Sequence, residues 1–365
     1  MNLRICWLVI LMTSKPQFAG EKVKLSDLCS KGKSSLRQKD LLNDGPYLVY
    51  GASGVIGTMS CYQNEEPYVA VVKDGAGVGR VMACKGKSSV LGTMQALLPS
   101  KNVDLNYLLH LVRSLKLGDD FSGSTIPHIY FRDYGEREVP AIAIKQQIMI
   151  AGVLDKIEMM LARLDMTLKK QDQLVKSRFV EMFGDPTKNQ KSWEFGTVES
   201  LSINLDSRRV PITQADRVPG PYPYYGASGI VDYVADFIFE EPLLLISEDG
   251  ANLLARTLPI AFSICGKTWV NNHAHILKCH NEAGRIYLET LINMLDISSY
   301  VTGSAQPKLN QKQLNSIPIM LPPLELQQEF ADFVAQVDKS GFAVRQQIEK
   351  LQLLYDSLAQ EYFGD

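Results

Sequence analysis

The chain lacks most of the signatures that announce a chemistry. None of its six cysteines (Cys6, Cys29, Cys61, Cys84, Cys265 and Cys279) forms a CxxC pair. That argues against a disulfide framework and fits the unpaired thiols of a reducing cytoplasm. Neither sign of charge is in excess: 38 Lys and Arg face 40 Asp and Glu, for a formal net charge of −2. A protein holding nucleic acid by bulk charge alone would be more basic. The apolar run Ile5–Met12 after Leu3-Arg4 has the outline of a signal peptide but is too short to span a bilayer. It is read as an apolar first strand, or as a stretch upstream of a true initiator at Met12.

Catalytic motifs are missing in the same way. Three triplets, Gly32-Lys33-Ser34, Gly86-Lys87-Ser88 and Gly266-Lys267-Thr268, have the end of a P-loop but not its start. The glycine needed five positions upstream is Asp27, Val81 or Ala261, so no backbone loop is formed to wrap a phosphate. Gly75-Ala76-Gly77-Val78-Gly79 is GxGxG without a strand–loop–helix around it, and reads as a turn. His273, His275, Cys279 and His280 are the one metal-like cluster. A strand would put the first two on one face, yet no fourth ligand follows at a suitable spacing. They read as polar strand residues near a functional surface, with no metal expected. No Ser-His-Asp set or nucleophile elbow stands out. Glu65, Glu66, Lys73 and Asp74 read as solvated loop residues rather than a nuclease centre.

What is present is a pattern used twice. Ile150, Val153, Ile157, Met160, Leu164, Thr167, Gln171 and Leu174 recur at alternating steps of three and four, a heptad seam within a helix from about Lys145 to Phe183. A second stripe, Leu154, Leu161, Leu168 and Val175, runs beside it. A second helix ends the chain through Phe330, Phe333, Val337, Val344, Leu351, Leu354 and Leu358. Both helices close on Phe-Gly-Asp, at 183–185 and 363–365. Tyr50-Gly51-Ala52-Ser53-Gly54 returns as Tyr225-Gly226-Ala227-Ser228-Gly229, and Asp74-Gly75-Ala76 as Asp249-Gly250-Ala251, both about 175 positions later. Gly123-Ser124 with Pro127 returns as Gly303-Ser304 with Pro307, and Gln146-Gln147 as Gln327-Gln328. Kept order and spacing mean a duplicated domain rather than a short-period solenoid.

Within the first copy the pattern predicts strands over Tyr47–Tyr50, Tyr68–Lys73, Val78–Cys84 and Val90–Leu98, and a helix over Asn106–Leu117. The fold class is α+β: two β-rich globules, each followed by a long helix, with the helices packing as an antiparallel coiled pair. The expected segments are 1–20 as an N-terminal piece, 21–140 and 186–321 as globules, and 141–185 and 322–365 as helices. The loop surfaces carry small residues, aromatics and cations suited to phosphates and base edges.

Together these motifs resemble the specificity subunit of type I restriction–modification systems, over nearly the whole chain from about Glu21. The resemblance implies two target recognition domains, each reading one half of a bipartite, asymmetric DNA sequence. It implies a chain that is not itself an enzyme. Two methyltransferase subunits and restriction subunits would be its protein partners, and S-adenosylmethionine, ATP and Mg²⁺ would serve in those partners. A helix of about 36 residues is roughly 54 Å long, enough to hold two globules one DNA turn apart.

DNA contacts are expected from Tyr50, Gly51, Ala52, Ser53, Lys73, Arg80, Thr93, Ser124 and Arg132. In the second copy they are Tyr225, Gly226, Ala227, Ser228, Lys267, His273, Ser304 and Lys308. Contacts to other subunits are expected from the second stripe (Leu154, Leu161, Leu168, Val175) and from Val334, Ile348 and Tyr355. The alternatives are a recognition subunit serving a fused nuclease–methyltransferase chain, and a coiled-coil protein-binding scaffold.

Overall fold

The computed structural model describes residues 21–41, 44–123, 126–303 and 305–364. The expectations for residues 1–20, Ser124 and Ser304 fall outside these. Contacts divide the chain into two units, Met1–Leu164 with Gln346–Asp365, and Asp165–Arg345.

The first unit contains nine short strands: β1 (Lys22–Lys24), β2 (Cys29–Lys31), β3 (Tyr47–Gly51), β4 (Gly54–Met59), β5 (Tyr68–Val72), β6 (Val81–Cys84), β7 (Ser89–Val90), β8 (Met94–Pro99) and β9 (Glu138–Pro140). They form an antiparallel sheet in the order β2-β8-β5-β6, a three-stranded sheet β4-β3-β7, and a β1-β9 pair. The expected strand Val90–Leu98 is split at Leu91–Thr93, where the Thr93 carbonyl turns to accept the amides of Lys73 (2.9 Å) and Asp74 (3.2 Å).

All five residues of β5 are buried. Val69 and Val71 face the helix Leu105–Ser114, while Tyr68, Ala70 and Val72 face Tyr50 and Val90 of the smaller sheet. An unbroken apolar run is what a strand covered on both faces requires. Asp104 caps the helix by accepting the Tyr107 amide at 2.9 Å.

The second unit repeats this plan strand for strand. Its elements are β10 (Phe195–Gly196), β11 (Ser202–Asn204), β12 (Pro219–Gly226), β13 (Gly229–Val234), β14 (Leu243–Ser247), β15 (Ala261–Ile264), β16 (Trp269–Val270), β17 (Ala274–Cys279) and β18 (Ile319–Met320). The orders are β11-β17-β14-β15, β13-β12-β16 and β10-β18. Leu244 and Ile246 of β14 face the helix Glu282–Met294, and Leu243 and Leu245 face the smaller sheet. Asn281 caps that helix through the Gly284 amide at 2.7 Å.

The long helices are Ile144–Phe183 and Leu324–Phe363, 40 residues each, so each is about 60 Å long. Each begins in one unit and ends in the other. In the second unit they run antiparallel: Gln171 Nε2 donates to Ser340 Oγ at 3.0 Å, and Arg178 pairs with Glu329 at 2.7 Å. Gly341, buried beside the Gln171 side chain, leaves room for that approach.

The repeated Gln-Gln is a joint. Gln147 is buried; its Oε1 accepts the Asp104 amide at 2.9 Å and its Nε2 donates to the Ile142 carbonyl at 2.9 Å. Gln327 Nε2 donates to the Pro322 carbonyl at 2.8 Å in the same way.

The two stripes on the central helix are used the other way round from the expectation. The inward face is Ile150, Leu154, Ile157, Leu161, Leu164, Leu168, Gln171 and Val175, all buried or half-buried, whereas Met160, Thr167 and Leu174 are exposed. Ile150, Ile157, Leu164 and Gln171 serve either seam. The choice lies between their neighbours, and four aliphatic side chains (Leu154, Leu161, Leu168, Val175) win over Val153, Met160, Thr167 and Leu174. Leu154 is fully buried. Val334, Ile348 and Tyr355 are half-buried on the inner face of the other helix. Of the seven residues assigned to other subunits, Leu154 and Tyr355 pack in the core of the first unit and Val175 and Val334 in that of the second, while Leu161, Leu168 and Ile348 are half-buried. The most exposed apolar residues of this helix are Ile148, Met159 and Met166, each more than half exposed.

Candidate nucleic-acid interface

In each unit three short loops meet at one corner. The Tyr-Gly-Ala-Ser-Gly segments are hairpin turns: Gly51 pairs with Gly54 across Ala52-Ser53, and Gly226 with Gly229 across Ala227-Ser228. Gly51 and Gly226 are buried, and a Cβ on either would press on Ile56 or Val231. The first glycine of each motif is therefore kept small by its own hairpin partner. Tyr50 is likewise a core residue, with its hydroxyl accepting the Lys85 amide at 3.3 Å. Tyr225 is half-buried against Phe262, while Ser53 and Ser228 are exposed at the turn tips. Ser247 Oγ donates to the Ala227 carbonyl at 2.6 Å, bringing this turn beside Glu248 and Asp249.

The Asp-Gly-Ala turn and the Gly-Ser-x-x-Pro loop are joined by matched backbone bonds. Gly75 N donates to Pro127 O and Ile129 N to Lys73 O; Gly250 N donates to Pro307 O and Leu309 N to Glu248 O, all at 2.8–3.0 Å. On this shared frame the side chains differ. In the first unit Lys73 Nζ lies 2.6 Å from Asp74, which also holds His128 Nδ1 at 2.7 Å. His128 stacks on Tyr130, and the Arg132 guanidinium also lies over the Tyr130 ring, 4.9 Å from its centroid. Thr93 and Arg80 are exposed.

In the second unit the corner is a buried charge network. Arg209 pairs with Glu248 and donates to the Ala274 carbonyl at 2.9 Å, and Lys308 reaches Glu248 at 3.1 Å. His275 Nε2 donates to the Leu309 carbonyl at 2.7 Å, and its Nδ1 lies 2.6 Å from Asp206. Burial pushes the Asp206 carboxyl up, but His275, the Ile276 amide and Arg209 outweigh it and hold it below its ordinary value. Glu248 is lowered for the same reason: Arg209, His275 and Lys308 outweigh its burial.

Asp206, Glu248 and His275 converge within 4.8 Å, yet protein cations and a carbonyl already engage them. His273 and His275 do not share a face: His273 precedes β17 and is exposed, His275 is buried within it. The sequence-level pairing fails because the strand starts one residue after His273. Lys267 is exposed, with its ammonium 4.6 Å from the Phe237 ring centroid and 6.0 Å from that of Tyr222.

The profile of the family described as "Type I restriction modification DNA specificity domain" matches residues 20–171 and 190–352. The chain belongs to that family. Its two matched segments coincide with the two copies of the fold. A protein of Haemophilus influenzae provisionally named a type I restriction enzyme specificity subunit is 32% identical over 136 residues, 37% of this chain and 35% of the relative. The match thus spans about a third of that relative's length. The crystal structure of a type I restriction-modification system S subunit from M. genitalium superposes with a TM-score of 0.61 at 17% identity, covering 96% of this chain and 98% of the other. At that identity the likeness concerns the fold.

Within this specificity-domain frame, sequence reasoning missed Asp206, the half-buried pairing of Arg209, and His128. His128 stands in the Gly-Ser-x-x-Pro loop at the position of Lys308, and that match was the available signal.

Proposed function

We propose that the chain is the DNA sequence-recognition subunit of a type I restriction–modification complex. Each unit reads one half of a bipartite, asymmetric target. The observation that carries this reading is the corner where three loops meet. Its backbone is the same in both units, while its side chains change from Lys73, Thr93 and His128 to Glu248, His273 and Lys308. A duplicated frame with exchanged polar groups suits two different half-sites read through side-chain hydrogen bonds. The set Ser53, Lys73, Arg80, Thr93 and Arg132, with Ser228, Lys267, His273 and Lys308, remains the proposed contact surface.

Methyltransferase and restriction subunits bring S-adenosylmethionine, ATP and Mg²⁺; this chain supplies sequence choice. Partner subunits dock on the outward face of the helix Ile144–Phe183, where Ile148, Met159 and Met166 offer apolar contact. The test is to map methylated adenines in a genome carrying this system, then to exchange residues 21–140 for those of another family member. One half of the methylated sequence should change and the other should stay. A change in both halves, or in neither, would refute the reading.

A further inference from the structure

We propose that Asp74 and Asp249 are matched clamps that each present one histidine, His128 and His273, to DNA. The inference rests on the function proposed above and names the residues that discriminate. The two aspartates occupy the same place in the repeated Asp-Gly-Ala turn, but their histidines come from different places in the chain. His128 lies in the loop that pairs back on Asp74, at the position of Lys308, whereas His273 stands where the first unit has Thr93.

The outcome is nonetheless the same. His128 Nδ1 is 2.7 Å from Asp74 Oδ1, and His273 Nδ1 is 2.8 Å and 3.0 Å from the two oxygens of Asp249. A carboxylate on Nδ1 takes the hydrogen there and fixes the ring's orientation. The opposite edge, Nε2, then remains for a ligand: a donor to phosphate or to guanine O6 and N7 when the ring is charged, an acceptor from a base amino group when it is neutral.

Both rings stay accessible, with side-chain exposures of 34% for His128 and 48% for His273. Neutralising the aspartate does not by itself require the histidine, since Asp74 already has Lys73 at 2.6 Å. Two routes that deliver an imidazole to one framework carboxylate indicate selection for the exposed edge.

The experiment uses the full chain assembled with its methyltransferase subunits, and duplexes carrying the methylated sequence together with every single base-pair variant. His128→Gln and His273→Gln should each weaken binding about tenfold, with the effect on discrimination confined to one half-site, a different half for each. Asp74→Asn and Asp249→Asn, which free the ring without removing it, should give a smaller loss in the same half. Relaxed choice at one or two base pairs marks a base-edge contact. An unchanged choice with a salt dependence shallower by about one ion marks a phosphate contact, and either result supports the clamp.

Wild-type affinity and wild-type discrimination in assembled His variants would overturn the proposal while leaving the recognition function standing. Losses from both histidines in the same half would also overturn it. A wild-type complex that selects no sequence would overturn both.

Discussion

The packing around the long helices in each unit shows what the duplicated frame holds constant and what it leaves open. In the second unit Phe179, Phe183, Tyr287 and Phe330 are fully buried against one another, with Phe179 stacked on Tyr287 at 5.4 Å. The matching residues of the first unit are Ala359, Phe363, Tyr107 and Ile150. The Tyr107–Phe363 contact survives at 5.5 Å, but two rings are gone. A cleft of about 660 Å³ opens beside Ala359, bordered by Arg113, Glu158 and Tyr355.

Polar groups gather at its edge. Buried His110 contacts the Tyr355 hydroxyl at 2.8 Å and Asp155 at 2.9 Å, and Arg113 pairs with Glu158. The constant part is the joint: Tyr107 Oη donates to the Pro140 carbonyl and Tyr287 Oη to that of Met320. Once those bonds set where the helix sits, either an aromatic plug or a polar network completes the packing.

The sharpest way to break this comparison is to remove the plug. Phe179→Ala should cost about 3–5 kcal/mol in urea unfolding of the full chain. Ala359→Leu, adding volume where the first unit has a cleft, should cost less than about 1 kcal/mol; a loss as large as that of Phe179→Ala would mean the two units are equally tight there.

Arg209→Met should cost about 3–5 kcal/mol, because it leaves Asp206 and Glu248 buried without their guanidinium. Both carboxyls titrate below their ordinary values in the folded chain. Their stabilisation is complete above the ordinary carboxylate range and is lost as pH falls through the depressed values. The penalty should therefore be largest near neutral pH and shrink in acid, as unfolding at several pH values would reveal. In the first unit, where Lys73 stands in place of Glu248 and with His128 holds the Asp74 carboxyl below its ordinary value against the effect of burial, Lys73→Met should show a smaller trend of the same sign.

His110→Ala should cost about 1–3 kcal/mol and Tyr355→Phe about 1 kcal/mol, measured by thermal unfolding. Met159→Gln with Met166→Gln should leave stability within about 0.5 kcal/mol while lowering co-purification of methyltransferase subunits. Unchanged co-purification would place docking elsewhere.

Much of the frame was legible because it is carried by local pattern. The period of the long helices, the apolar runs of β5 and β14, and the order of the repeated turns survive without knowledge of long-range contacts. What stayed hidden was decided by packing between distant segments. Two seams shared Ile150, Ile157 and Leu164, and only their packing partners could choose Leu161 over Met160. The pairing of Arg209 was hidden because its acids, Asp206 and Glu248, are brought together by β11, β14 and β17. Gly51 and Gly226 signal a close approach, and the side chains that come close, Ile56 and Val231, lie across the hairpin. His128 was invisible as a partner of Asp74 because 54 residues separate them.

One consequence of the shared helices concerns time rather than space. The second unit is a single continuous stretch, Asp165–Arg345, whereas the first is closed by Gln346–Asp365. His110 meets Tyr355 across 245 residues. Closing so long a loop slows folding, and during synthesis the first unit must wait for Gln346–Asp365 to be made. The older half of the chain is thus the last to be finished. Until then Ile150 and Leu154 lack the cover of Ala359 and Phe363, so a ribosome stalled before residue 346 would leave an apolar patch open to chaperones and proteases.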